Sequence, residues 1–187
     1  MHPHSALRPE TDWTDLTTAK TASTTDLDLT QPQTTAVHAY WLAKRAGRSM
    51  PGPRDINPAE IKPLLPYISM SEVLPGPPVD YLYRIDGEAV RSAVGFVRTG
   101  HRLSEFKDRL GPAHDWLAEC YGALRANPVP RCARMVLSHL GRSFYVLELV
   151  YLPLSEDGTT VQRILQALSF VRKPEDEPVL QPPAACS

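Results

Sequence analysis

Residues 143–152, Ser-Phe-Tyr-Val-Leu-Glu-Leu-Val-Tyr-Leu, have the composition of a β-strand that is apolar on both faces. Phe144, Val146, Val150 and Leu152 alternate with Tyr145, Leu147, Leu149 and Tyr151, and Glu148 is the one interruption. An antiparallel strand with a watery face alternates apolar with polar residues. This one must be covered on both sides, and an uncovered second face would be a docking surface. An N-terminal helix, a partner subunit, or both would supply the cover.

The rest of the chain supplies elements to build around that strand. Val37, Tyr40, Trp41 and Lys44 lie at helical spacing, with Thr34 or Thr35 able to cap the start and Gly47 able to end it. The next stretch carries prolines at 51, 53, 58, 63 and 66. It reads as a pinned, mostly extended connector with at most one helical turn around Pro58–Lys62. Tyr67–Leu74 and a second strand around Tyr81, Tyr83 and Ile85 form a hairpin across Pro-Gly-Pro-Pro. Short helical turns follow at Glu88–Val94, closed by Gly95, and around Leu103–Phe106. A longer helix spans Pro112–Ala126, with Trp116, Leu117, Cys120, Tyr121 and Leu124 on one face. Strands at Arg131–His139, Ser143–Leu152 and around Gln162–Val171 close the domain, the last two joined by the hairpin turn Ser-Glu-Asp-Gly.

Composition sets the limits. The chain has 187 residues and a formal net charge of −1, so no global basic field exists to hold a nucleic-acid backbone. Residues 1–33 are rich in Thr, Asp, Ser and Pro and read as a flexible tail. The Pro-rich residues 173–187 read as a second tail, which leaves a domain over 34–172. Cys120, Cys132 and Cys186 are isolated and odd in number, against a disulfide framework or a zinc knuckle. Neither a signal-peptide core nor a membrane-length apolar run is visible, so the expected location is the cytoplasm.

The order of two strands, several helices and three strands is the Per-Arnt-Sim (PAS) order. Four strings carry the resemblance further: YWLAKRAGRSMPGPRDINPAEIKPLLPYI, DYLYRIDGEAVRSAVG, TGHRLSEF and YLPLSEDGTTVQRIL. Together they resemble the bacterial PAS_5 subfamily of alphaproteobacterial type over about residues 36–171. One departure is visible: where the subfamily usually has Gly-Thr after the second strand, this chain has Gly87-Glu88. The resemblance implies an α+β fold, a five-stranded antiparallel sheet with helices on one face and an N-terminal helix. It also implies a stand-alone sensory or interaction module that binds a small ligand, a protein partner or both and signals in trans, as a homodimer or with a signalling partner; the alternatives are an enzyme using the same pocket and a structural scaffold whose pocket is filled by its own side chains. It carries no shared cofactor motif, so the cofactor stays unknown.

Candidate chemistry within the domain is sparse. His114, His139, Cys120 and Cys132 are the soft ligands, without metal spacing. The flavin-adduct cysteine motif is missing. Ser138-His139 and Asp115 offer a nucleophile and a base with no elbow motif around the serine, so no catalytic residue is assigned. An enzyme would need a buried, shifted carboxylate, and Asp80, Asp86, Glu88 and Asp115 fall where caps explain them. Arg84 lies mid-strand. It either faces water, or pairs with Glu72, Glu148 or an anionic ligand. Trp116, Tyr121 and His114 are the other ligand candidates, with ordinary core packing as the alternative for the two aromatics. Tyr40, Trp41, Phe144 and Val146 are the candidates for a dimer or partner interface.

Overall fold

The computed structural model describes residues 27–137 and 142–172, and leaves the side chains of 112, 135–137, 142–146 and 171–172 undescribed. His139, Ser138 and Cys186 therefore lie outside the described residues, as do the side chains of Phe144 and Val146.

Five strands form one antiparallel sheet in the order β2-β1-β5-β4-β3. They are β1 (Ile68–Leu74), β2 (Asp80–Asp86), β3 (Arg131–Leu137), β4 (Arg142–Leu154) and β5 (Arg163–Arg172). The N-terminal hairpin and the C-terminal three strands thus join through β1 and β5, so neither half is a sheet alone. Between β2 and β3 come α2 (Glu88–Val94), α3 (Lys107–Leu110) and α4 (Pro112–Ala126), which lie over one face of the sheet. The other face is covered by α1 (Pro32–Arg45).

Register sorts the side chains into those two faces. Val150, Leu152, Leu165 and Ala167 point toward α1 and are all fully buried. Leu149, Tyr151, Ile164, Gln166 and Leu168 point toward α4 and are buried as well. From Leu147 to Leu154 both faces of β4 are covered from within the same chain. Val37 and Trp41 of α1 are completely buried, and the Trp41 indole Nε1 donates to the Pro153 carbonyl at 2.9 Å. Burial of an aromatic this size stabilises by about 1.5–3 kcal/mol.

Several boundaries move. The helix begins at Pro32, its fixed φ suiting the first turn, with Gln31 as N-cap. Thr34 lies inside it, and its hydroxyl goes to Glu148 instead of to a cap. Ala46 and Gly47 both take left-handed φ and end the helix. Asp28, Thr30 and Gln31, which composition alone puts in a tail, bond to β3 and β4 and belong to the domain. The Pro-rich connector holds three 3-10 turns, at Pro53–Asp55, Pro58–Glu60 and Lys62–Tyr67, where one was expected. Proline supplies the φ of each first turn, and its missing N–H is no loss there.

Gly87 is the tightest point of the fold. A Cβ there would lie 2.2 Å from the Leu65 carbonyl oxygen and 2.3 Å from that of Pro66. Only glycine lets the end of β2 pass the Lys62–Tyr67 turn, where its N–H donates to the Ile68 carbonyl at 2.8 Å. Glu88, at the departure from the subfamily pattern, is exposed and does not reach the interior.

Candidate ligand site

One rung of the sheet is polar from edge to edge. Arg131 of β3 pairs in register with Tyr151 of β4, Tyr151 with Gln166 of β5, Gln166 with Ser69 of β1, and Ser69 with Asp86 of β2. All five side chains fall on the face under α4. An irregularity between Met70 and Ser71 makes this alignment work. It sets Tyr83 opposite Ser71 and skips Arg84, so that Tyr81, Tyr83 and Asp86 all point inward.

The loop after α2 and the helix α4 complete the band. Arg98 is 6% exposed and clamps Asp86 with two hydrogen bonds, Nε to Oδ2 at 2.8 Å and Nη2 to Oδ1 at 2.7 Å. Its guanidinium lies 4.3 Å from the Tyr83 ring centroid. Two fork bonds and an aromatic face offset the cost of removing both charges from water. From α4, Tyr121 donates to Gln166 Oε1 at 3.0 Å, and Gln166 Nε2 donates to Ser71 Oγ at 3.1 Å. Tyr121 stacks edge-on between Tyr81 and Tyr151, with centroid distances of 4.7 and 5.9 Å. Burial pushes the Tyr121 and Tyr151 hydroxyls well above the ordinary phenol range, and the nearby tyrosine hydroxyls add to this for Tyr121. Both stay neutral O–H donors at any physiological pH.

The band is not internally satisfied. Four buried side-chain atoms among the described residues have no hydrogen-bond partner: Ser69 Oγ, Tyr83 Oη, Tyr151 Oη and Arg131 Nε. All four belong to this one face. Each such group costs about 1–3 kcal/mol if nothing else bonds it. Ordered water or a bound molecule on this face would meet them.

The sequence-derived candidates distribute unevenly over this geometry. Tyr121 is central to the band. Trp116 is half-buried on α4 and packs against the core edge. His114 sits in the first turn of α4 with Nδ1 2.7 Å from Asp115 Oδ1, and that bond holds the Asp115 carboxyl below its ordinary range. Arg84 forms the ion pair with Glu72 that was one of its readings from the sequence: it is skipped to the face opposite the band, half exposed, with Nε 2.5 Å from Glu72 Oε2. Trp41 lids the sheet, its side chain completely buried in the core of the same chain. Tyr40 is half-buried, with its hydroxyl donating to Glu60 Oε2 at 2.8 Å and accepting from Asn57 N–H at 2.9 Å.

Sequence reasoning missed Ser69, Tyr83, Arg98, Arg131, Tyr151 and Gln166. A polar residue at an inward phase of an otherwise apolar strand was the available signal for Ser69 and Gln166. Arg98, in a loop, gave none.

Glu148, the interruption in β4, faces α1. Its Oε2 accepts from Thr30 N at 3.0 Å, Thr30 Oγ1 at 2.7 Å and Arg134 Nε at 2.9 Å. Its Oε1 accepts from Gln31 N at 3.0 Å and from the Thr34 hydroxyl. A carboxylate at the start of a helix also meets the positive end of its dipole. Burial alone would raise the Glu148 pKa, but the bonds from Thr34 and Thr30 outweigh it and hold the carboxyl below its ordinary value.

Among the described residues no group of three or more His, Cys, Asp or Glu gathers to hold a metal, and no helix is long and apolar enough to cross a membrane. Two surface depressions lie away from the polar band, one beside Glu88, Arg91 and Phe96 and one beside Val73, Arg125 and Gln162. No curated protein and no solved structure matches the chain. A family model described as PAS domain, PAS_5, matches residues 29–169.

Proposed function

Because the chain belongs to the PAS domain family, a family of sensory and interaction modules, we propose that it senses a small polar ligand held between the sheet and α4, and reports occupancy through α1 to a protein partner. One observation carries this reading: four unpartnered, buried polar atoms on a single face of the sheet. A ligand that bonds them removes their desolvation cost only in the bound state. That differential is what shifts a conformational equilibrium.

The report to α1 rests on shared strands. Tyr151 and Gln166 face the band, while Val150, Leu152 and Ala167 on the same two strands carry α1. A change in the twist of β4 or β5 acts on both faces at once.

Binding without bond-making is part of the proposal. The carboxylates that the sequence offers are committed elsewhere: Asp86 to Arg98, Asp80 to Ser104, and Asp115 to His114. Glu88 is exposed. None is a free, buried base.

Hydrogen exchange of purified protein, compared before and after unfolding and refolding that strips small molecules, tests the reading. The stripped protein should exchange faster in α4, β4, β5 and α1, and native mass spectrometry should show the molecule lost. Identical exchange maps and no released molecule would refute it.

A further inference from the structure

Outside the polar band, three elements meet around a depression of about 340 Å³. Val73 and Pro75 come from the end of β1, Arg125 from the last turn of α4, and residues 159–162 from the loop between β4 and β5. That volume falls at the low end of the range for small-molecule sites.

Part of the lining is apolar and fixed. Val161 is buried, and the Val73 N–H donates to the Gln162 carbonyl at 2.9 Å, which ties the end of β1 to the loop. The Gln162 N–H donates in turn to the Leu154 carbonyl at 3.0 Å.

The polar part of the lining offers donors. Glu156 N–H donates to Gln162 Oε1 at 2.7 Å, so the side-chain amide is oriented and its NH2 is the end left over. The Thr160 hydroxyl is exposed on the same loop. Arg125 is exposed, and no carboxylate among the described residues pairs with it. It stands beside the Tyr81 hydroxyl, where burial raises the phenol pKa and the guanidinium opposes the rise.

The acids of the surrounding segments are already engaged. Asp157 Oδ1 accepts from Thr159 N and Ser155 Oγ at 2.8 Å and from Thr160 N at 2.7 Å. Those bonds hold its carboxyl well below the ordinary range, so it stays ionised. Asp80 takes the Ser104 hydroxyl at 2.6 Å, and Glu156 lies 3.8 Å from Arg54. One unpaired cation, with an ionised acid in the adjoining turn, favours a ligand of single negative charge over a dianion.

We propose that this depression is a second binding site, for a monocarboxylate with a short aliphatic chain. The carboxylate lies against the Arg125 guanidinium and accepts from the Gln162 amide and the Thr160 hydroxyl. The aliphatic chain rests on Val73 and Val161. This site goes beyond the interior ligand and does not depend on it. It has a route to the same strands, because Tyr81, beside Arg125, stacks 4.7 Å from Tyr121, whose hydroxyl holds Gln166 of β5.

The test is an NMR titration of the full chain with sodium hexanoate, read on the backbone amides. Sodium acetate, 1-hexanol, inorganic phosphate and sodium chloride at matched ionic strength are the comparisons. Hexanoate should bind saturably and move the amides of Val73, Arg125 and Gln162. Acetate should bind about tenfold or more weakly, for want of buried methylenes. 1-Hexanol should bind more weakly too, for want of the charge. Arg125→Met should weaken hexanoate by about tenfold or more, the loss of a charge-assisted bond. Thr160→Val should weaken it less, and Arg84→Met, on the far face of the sheet, should leave it unchanged. Circular dichroism checks that each variant folds, and Arg125→Gln replaces Arg125→Met if that one does not.

Saturable phosphate binding in place of hexanoate, equal binding of 1-hexanol, or indifference to Arg125 overturns the assignment. So do shifts confined to the polar band. No binding of hexanoate overturns this site alone, and the sensory reading then stands or falls on the stripping experiment.

Discussion

Glu148→Gln is a perturbation whose size can be worked from geometry. The substitution keeps shape and removes charge. In the wild type every donor around the side chain meets an acceptor: Thr30 N and Oγ1 and Arg134 Nε on Oε2, Gln31 N and the Thr34 hydroxyl on Oε1. An amide has one accepting oxygen and one NH2 group. Whichever way the substituted amide turns, its NH2 faces one of these two donor sets. The side chain of Glu148 is 3% exposed, so water does not rescue the orphaned donors. Loss of charge-assisted bonds, with at least one donor left unmet, gives a cost of about 2–4 kcal/mol. At about 2–4 °C per kcal/mol for a domain of this size, the melting temperature should fall by roughly 4–16 °C. Thermal unfolding at pH 7 reads this directly, and hydrogen exchange should show residues 30–45 loosening first. The pH profile gives a second check. The folded Glu148 carboxyl is held below its unfolded pKa, so its contribution is full above about pH 4.3 and is lost as pH falls through the folded value. The wild type should therefore lose its advantage over the variant on acidification. A variant within about 0.5 kcal/mol of wild type at pH 7 would refute the claim that this carboxylate fastens α1.

Two further outcomes follow from the packing. Gly87→Ala puts a methyl on the Leu65 and Pro66 carbonyls, and the backbone must move; a loss of about 3 kcal/mol or more, or failure to accumulate as folded protein, is expected by denaturant titration, and a near-neutral result would mean that the turn yields freely. Arg98→Met leaves the buried Asp86 carboxylate without its fork, at a cost of about 3–5 kcal/mol, and Arg98→Met with Asp86→Leu should recover part of it; equal losses in the single and double variants would show that the pair is not an isolated unit.

The elements were legible because each carries its own local signal. β5 is instructive. Val161, Ile164, Leu165 and Leu168 suit a helix as well as a strand, and the Ser155–Gly158 turn decides for a strand. In the structure Asp157 fills that role: its Oδ1 accepts from Thr159 N at 2.8 Å and Thr160 N at 2.7 Å. The double cover of β4 was equally readable, since no solvated strand is apolar on both sides. What covers it was not, because the pairing of α1 with β4 and β5 spans more than 100 residues and runs through Glu148, whose partners on the α1 side are three ordinary polar residues of a Thr-rich segment. The candidate site was mostly hidden. A single extra residue, Arg84, changes which of the β2 side chains turn inward, and no local pattern announces such an irregularity. Without it, Asp86 and Tyr83 would be placed on opposite faces, and the polar rung would not be drawn.

The fastening of α1 has a consequence for how the chain comes off the ribosome. Thr30 waits for Glu148, 118 residues later in synthesis, and Trp41 waits for Pro153. Translation at about 5–20 residues per second leaves the leading helix without its seat for several seconds, while β1 lacks its inner neighbour until β5 appears. A nascent domain arranged this way holds an amphipathic segment in reserve until the strands that seat it have been made.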